Sequence, residues 1–176
     1  MKKGEECSRN KIIQWFTAVL TCLVVTYAHA QTADIQSLAA AMKQGGYVIV
    51  FRHGATNRDQ ADTDPLNFDN TAKQRVLSEQ GKRVATQVGD AFKKLGIPLG
   101  KVYTSKFNRA VETGKLMSGG DVTPVTHKPN ILDAFGKDWF DVKEGEASIF
   151  RPDGAGKTVL VARLQAVDWI KAGGGT

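Results

Sequence analysis

The chain has 176 residues, with 24 Lys and Arg against 18 Asp and Glu, a formal charge of +6 and two cysteines. The basic residues are spread along the chain rather than clustered, which suits an anionic ligand and speaks against a nucleic-acid surface. There is no internal repeat, and no low-complexity segment beyond the Gly173–Gly175 tail, so repeat architectures are excluded.

The first 30 residues read as a secretory signal. Lys2, Lys3, Arg9 and Lys11 make a basic start, and residues 12–25 are apolar except for Gln14 and two threonines. Ala28-His29-Ala30 then supplies a small-x-small cleavage site. The other reading is a single membrane anchor, but the apolar run falls short of the roughly 20 residues a span needs. Cys22 lacks the small neighbours of a lipidation site. Cleavage leaves residues 31–176 as one domain. Four basic and two acidic residues go with the signal, so +4 remains. Cys7 and Cys22 go too, and the mature chain has no disulfide and must be stabilised by its core. The expected location is periplasmic or secreted, with no stable membrane association after cleavage.

Residues 34–43 read as a helix, with Ile35, Leu38, Ala39 and Met42 on one face and Gly45-Gly46 as its stop. Tyr47–Phe51, "YVIVF", is a continuous β-branched run and reads as a central strand buried on both faces. Residues 54–77 form a long polar loop, a length that usually signals function or mobility. Ser78 can cap the next helix, whose apolar face is Val84, Val88, Phe92 and Leu95, ended by Gly96. Lys101–Ser105 is a second strand, Asn108–Met117 a third helix, and residues 122–126 a strand-like piece leading to His127. "EASIF" and "TVLVAR" are two further strands joined by a Pro-Asp-Gly turn, and Gln165–Ala172 is a last helix. The expected class is α/β: a three-layer sandwich with a mostly parallel central sheet, helices on both faces, and a C-terminal β-hairpin. "GAGKT", Gly154–Thr158, imitates the end of a phosphate-binding loop, but Arg151 stands where its first glycine belongs and a strand follows it.

In an open α/β sheet, ligands bind beyond the carboxyl ends of the strands. Arg52, His53 and Gly54 end the first strand. Ser105 ends the second, with Arg109 opening the helix after it, and His127 ends the third. Arginine suits bidentate capture of phosphate oxygens, and a helix N-terminus beside Arg109 adds a favourable field. His53 and His127 are the only histidines left after cleavage. A zinc site would need a third ligand at metal spacing, and neither a nearby cysteine nor a further histidine supplies one, so no metal and no cofactor are expected. A correctly oriented imidazole is a nucleophile toward phosphorus, Arg52 can neutralise phosphoryl oxygens, and Gly54 lets a tetrahedral phosphate come close.

"FRHGAT", then "LSEQGKRVA" and "VYTSKFNRAVETGKLM", with "HKPNILDAFGKDW" and "EGEASIFRPDG" further on, resemble the histidine phosphatase superfamily, also called phosphoglycerate-mutase-like, and its small secreted bacterial members in particular. The resemblance covers most of residues 34–170. It implies that His53 becomes a phosphohistidine and that Arg52, Arg109 and His127 bind the transferred phosphoryl group. Thr56 and Asn57 are further phosphate contacts or simply turn residues. Glu112 supports Arg109 or a helix surface.

One departure stands out. Arg109 and His127 are 18 positions apart, where the family carries a long insertion that commonly supplies a glutamate as general acid. A deletion near 118–124 is the natural reading. "KLMSGGDVTPV" has only Asp121 as a carboxylate, and Lys128 follows His127 where another branch has aspartate. The expected function is therefore a phosphatase acting on a small phosphorylated substrate, either a phosphomonoester or a phosphoramidate. The alternatives are a phosphate-binding domain without turnover and a compromised fragment that folds poorly. General-acid help is worth about 10²–10⁴-fold, so the lack of it would favour phosphoramidates or acyl phosphates.

Overall fold

A computed structural model describes residues 35–125 and 141–176. The signal segment, Thr126 and His127 lie outside the described residues. Residues Ala39–Thr176 contact one another as a single unit.

Helix α1 spans residues 35–42, and Gly45 and Gly46 follow it at φ 75° and 79°. These left-handed values cost a side chain and stop the helix cleanly. Strand β1, Val48–Phe51, comes next. It pairs antiparallel with β4, Glu146–Pro152, which pairs antiparallel with β5, Thr158–Gln165. The order is β1-β4-β5, so β4 is the central strand. Glu146 to Phe150 are all buried there, with Ala147, Ser148 and Ile149 fully enclosed. The β4–β5 ladder shifts register between Ile149 and Phe150, because Ala162 and Leu160 face these consecutive residues and Val161 bulges between them.

A second sheet holds only β2, Tyr103–Ser105, and β3, Thr123–Val125, which run parallel across helix α3, Asn108–Ser118. The short return from Arg109 is thus long enough for one strand–helix–strand unit. Pro124 stands opposite Thr104. It has no amide to give a ladder, as befits an edge position.

The expectation of a mostly parallel central sheet in a three-layer sandwich is overturned. Among the described residues the larger sheet is wholly antiparallel, and the only parallel pair is β2–β3. β1 is also not buried on both faces: Val48 is exposed and the rest half-buried, since β1 lies at the edge of the three strands. A continuous apolar run identifies a strand but carries no information on the direction of its neighbour.

Helix α2, Glu79–Leu95, starts at Ser78, whose hydroxyl accepts from the Gly81 amide at 3.0 Å. It ends at Gly96, where the Ile97 amide returns to the Phe92 carbonyl. Its buried face is Gly81, Ala85, Val88, Gly89, Phe92 and Leu95, richer in small residues than the expected stripe. The glycines are points of close approach: a Cβ on Gly89 would lie 2.4 Å from the Met117 carbonyl oxygen at the end of α3. Phe92 meets Phe51 of β1 and Trp169 of helix α4, Ala166–Ala172, edge to face, with ring centroids 5.9 and 4.9 Å apart. This chain of three rings ties sheet to helices. Among the described residues no helix is long and apolar enough to cross a membrane.

Phe92→Ala removes both ring contacts at once. It is expected to cost about 3–5 kcal/mol, seen as a lower urea midpoint with an unchanged slope.

Candidate active site

The end of β1 continues the ladder by one residue. The Arg52 amide donates to the Glu146 carbonyl at 3.0 Å, and the Gly145 amide donates back to the carbonyls of Arg52 and His53 at 3.3 and 2.9 Å. Gly145 has φ 75°, which a glycine adopts without strain. The turn 141–145 therefore grips the Arg-His pair from one side. Glu146 fixes that turn. Its buried carboxylate accepts from the Lys143 amide at 3.1 Å, Arg163 Nε at 2.6 Å and Gln165 Nε2 at 2.7 Å. Burial alone would raise the Glu146 carboxyl, but these donors outweigh it and hold it below the ordinary value.

Two helices grip the loop from other sides. The Gly54 amide donates to the Thr113 hydroxyl of α3 at 3.1 Å, and that hydroxyl donates to the Arg109 carbonyl at 2.7 Å. On the α2 side, Ser78 donates to the Ala55 carbonyl through both its amide and its hydroxyl. A Cβ on Gly81 would lie 2.1 Å from the Ala55 oxygen, and one on Gly54 would lie 3.0 Å from the Gly81 oxygen. Gly54 thus makes room for helix α2. It is not among the glycines with positive φ, so its role is close approach rather than a left-handed turn.

His53 Nδ1 lies 2.9 Å from the Gly54 carbonyl. A carbonyl only accepts, so Nδ1 carries the proton and Nε2 holds the free electron pair. Burial is the main influence pushing the imidazole below its ordinary 6.5. The cations Arg109 and Arg52 push the same way, against the Gly54 carbonyl and Glu144. A neutral ring with Nε2 unprotonated is the state a nucleophile needs.

Arg52 gives Nη1 to the Val142 carbonyl at 2.6 Å. Arg109 is buried, lies 4.2 Å from the Phe107 ring centroid, and pairs through Nη1 with Asp62 at 2.9 Å. The helix N-terminus expected to favour an anion is partly spoken for: Gln74 Oε1 accepts the Asn108 amide at 2.8 Å, acting as a cap supplied by the long loop. Thr56 is buried, and its hydroxyl donates to Glu144 Oε1 at 2.9 Å. Asn57 is held by its amide against the Val76 carbonyl. Glu112 faces Lys82 at 3.5 Å on the helix surface. The structure thus gathers Arg52, His53, Thr56 and Arg109 around one loop, and His127 lies outside the described residues.

Glu144 and Asp62 were not legible as site residues. Glu144 Oε1 stands 4.0 Å from His53 Nδ1. Its signal, a carboxylate on each side of Gly145 before a buried strand, gains meaning only once β4 is known to start beside the end of β1. Asp62 lies 47 positions before its partner in a polar loop, with nothing local to mark it.

The family profile described as the histidine phosphatase superfamily (branch 1) matches residues 48–152. The chain belongs to the histidine phosphatase superfamily. No curated protein matches it. Among solved structures it is similar to the protein histidine phosphatase SixA complexed with tungstate, with 14% identity, a TM-score of 0.50, and coverage of 69% of this chain and 98% of that one. It is also similar to a protein described as a SixA phosphohistidine phosphatase from Agrobacterium tumefaciens, with 14% identity, a TM-score of 0.48, and coverage of 68% and 96%. At such identity the first likeness speaks for a shared fold alone, and the second adds no argument.

Two outcomes test the geometry. An NMR titration of the His53 ring, assigned by its loss in His53→Gln, is expected to give a midpoint below 6.5; a midpoint at or above 6.5 contradicts the buried, cation-flanked setting. Gly81→Ala must push the Ala55 backbone away, and is expected to cost about 1–3 kcal/mol in urea unfolding.

Proposed function

We propose that the protein is a phosphatase working through a phosphohistidine on His53. The observation that carries this reading is the Nδ1 contact to the Gly54 carbonyl, which leaves Nε2 unprotonated in a ring whose proton affinity Arg109 and Arg52 lower. Nε2 attacks phosphorus in line with the leaving group. A P–N bond forms, and the bond to the leaving oxygen or nitrogen breaks, its electron pair going to the leaving atom. Arg52 and Arg109 balance the charge on the phosphoryl oxygens. Water then attacks phosphorus and releases inorganic phosphate, returning the electron pair to Nε2. His127, placed by resemblance, completes the phosphoryl contacts, while Thr56 and Asn57 shape the loop beside them. The substrate is a small phosphomonoester or phosphoramidate. The chain acts in the periplasm or outside the cell after loss of residues 1–30.

A second reading, phosphate binding without turnover, draws on one observation. Among the described residues the carboxylate paired with His53 is Glu144, and it stands on the Nδ1 side rather than the attacking side.

The deciding experiment combines para-nitrophenyl phosphate and phosphoramidate turnover with an alkaline quench that preserves acid-labile phosphate. Turnover and label are expected for the wild type, and both are lost in His53→Ala. Turnover of both should exceed that of an alkyl phosphate, whose departing alkoxide needs a proton donor that neither nitrophenolate nor an already protonated nitrogen requires. A folded protein that binds phosphate yet shows neither turnover nor label would establish the second reading instead.

A further inference from the structure

Arg109 carries five N–H groups, and the structure accounts for one side of them. Nη1 donates to Asp62 Oδ1 at 2.9 Å and to the Arg75 carbonyl at 3.3 Å. Nε is buried and has no hydrogen-bond partner among the described residues. The side chain is 9% exposed and lies against Phe107, so it cannot swing freely to find other partners. Asp62 is itself fixed, because the same Oδ1 accepts from the Arg75 amide at 2.9 Å. Loop residues on both sides of the 3₁₀ turn Thr71–Lys73 therefore hold the Nη1 side of the guanidinium. The opposite edge, Nε with Nη2, is the pair of parallel donors that takes two oxygens of a phosphoryl group.

We propose that Asp62 is a positioning residue, which holds the Nη1 side of Arg109 against the loop and so leaves the Nε–Nη2 edge for phosphoryl oxygens at His53. The proposal rests on the reading of this site as one that binds a phosphoryl group. It opposes a simple electrostatic expectation. A carboxylate beside an anion-binding cation repels the incoming anion, so deleting it would tighten binding if charge were all that mattered. Orientation predicts the reverse sign.

The test measures binding of inorganic phosphate by calorimetry, with KM and kcat on para-nitrophenyl phosphate, for the full chain and four variants. Asp62→Ala is expected to weaken phosphate about tenfold or more and to act mainly through KM, as the loss of a charged hydrogen bond would. Asp62→Glu keeps the charge but moves it by one methylene, and it is expected to weaken binding too. Asp62→Asn keeps an acceptor oxygen and restores binding to within about threefold. Arg109→Ala loses binding altogether. If Arg109→Ala binds phosphate like the wild type, the phosphoryl-site reading fails and the proposal falls with it. If Arg109→Ala loses binding while Asp62→Ala binds as tightly as the wild type or tighter, the reading stands and the proposal is overturned. Equal weakening in Asp62→Ala and Asp62→Asn also overturns it, since an acceptor oxygen at that position would then make no difference. Should Asp62→Ala fail to fold by circular dichroism, Asp62→Glu carries the test: wild-type affinity there refutes orientation.

Discussion

Gly145 donates one amide to two carbonyls, those of Arg52 and His53, while Arg52 gives its own amide to Glu146. This small knot follows from the antiparallel register of β1 on β4, in which Phe51 faces Ala147. An antiparallel partner begins where its neighbour ends, so the residues just before β4 fall beside the residues just after β1. The turn 141–145 is thereby delivered to the Arg-His pair with its Val142 carbonyl, Gly145 amide and Glu144 carboxylate already in place. A parallel partner at this edge would have presented its far end instead. Glu146 adds rigidity, since its carboxylate is saturated by donors from the turn and from β5 and has little freedom to release Lys143.

Around the imidazole the charges are opposed in pairs. Arg52 and Arg109 lower the proton affinity of His53, and Glu144 raises it. Asp62 answers Arg109 from the far side, and its carboxyl is held below the ordinary value: burial would raise it, but the Arg75 amide and Arg109 prevail. A buried cation without a counter-charge would be costly, and more so beside a second, half-buried one. Tying Arg109 to Asp62, and stacking it on Phe107, meets that cost while its Nε has no hydrogen-bond partner among the described residues. The long polar segment after Gly54 is therefore an ordered part of the site. Gln74 caps α3, Thr63 meets Lys73, and a bridge joins Thr56 to Leu77.

Local patterns in the sequence carried the helices and strands well, because Ser78, Gly96 and Gly119 punctuate the chain where hydrophobic periodicity starts and stops. They did not carry strand direction. "YVIVF" and "EASIF" are both short apolar runs, and nothing in either says that they lie antiparallel. The buried face of α2 was half legible. Val88, Phe92 and Leu95 announce themselves by size, but Gly81 and Gly89 act by having no side chain, and a search for apolar bulk passes over them. The Arg-His-Gly motif and Arg109 were legible because their chemistry is unusual at a strand mouth. Glu144, Asp62 and Gln74 were not, since ordinary polar residues become specific only through partners 34 to 88 positions away.

The position of Glu144 bears on which bond such a site can break. Its carboxylate accepts the Thr56 hydroxyl and lies toward Nδ1, the nitrogen that faces the Gly54 carbonyl. A proton donor to a leaving group must stand beyond phosphorus, on the line that runs out from Nε2. A group behind the ring can tune the nucleophile, through the charge it presents to Nδ1–H, but cannot reach the departing atom. Three other carboxylates named above are each engaged by a cation: Asp62 by Arg109, Glu146 by Arg163, Glu112 by Lys82. A departing alkoxide is a strong base, and a proton donor beyond phosphorus is worth about 10²–10⁴-fold to it. A nitrogen leaving group can collect its proton from solvent before the P–N bond breaks, so it depends far less on such a donor.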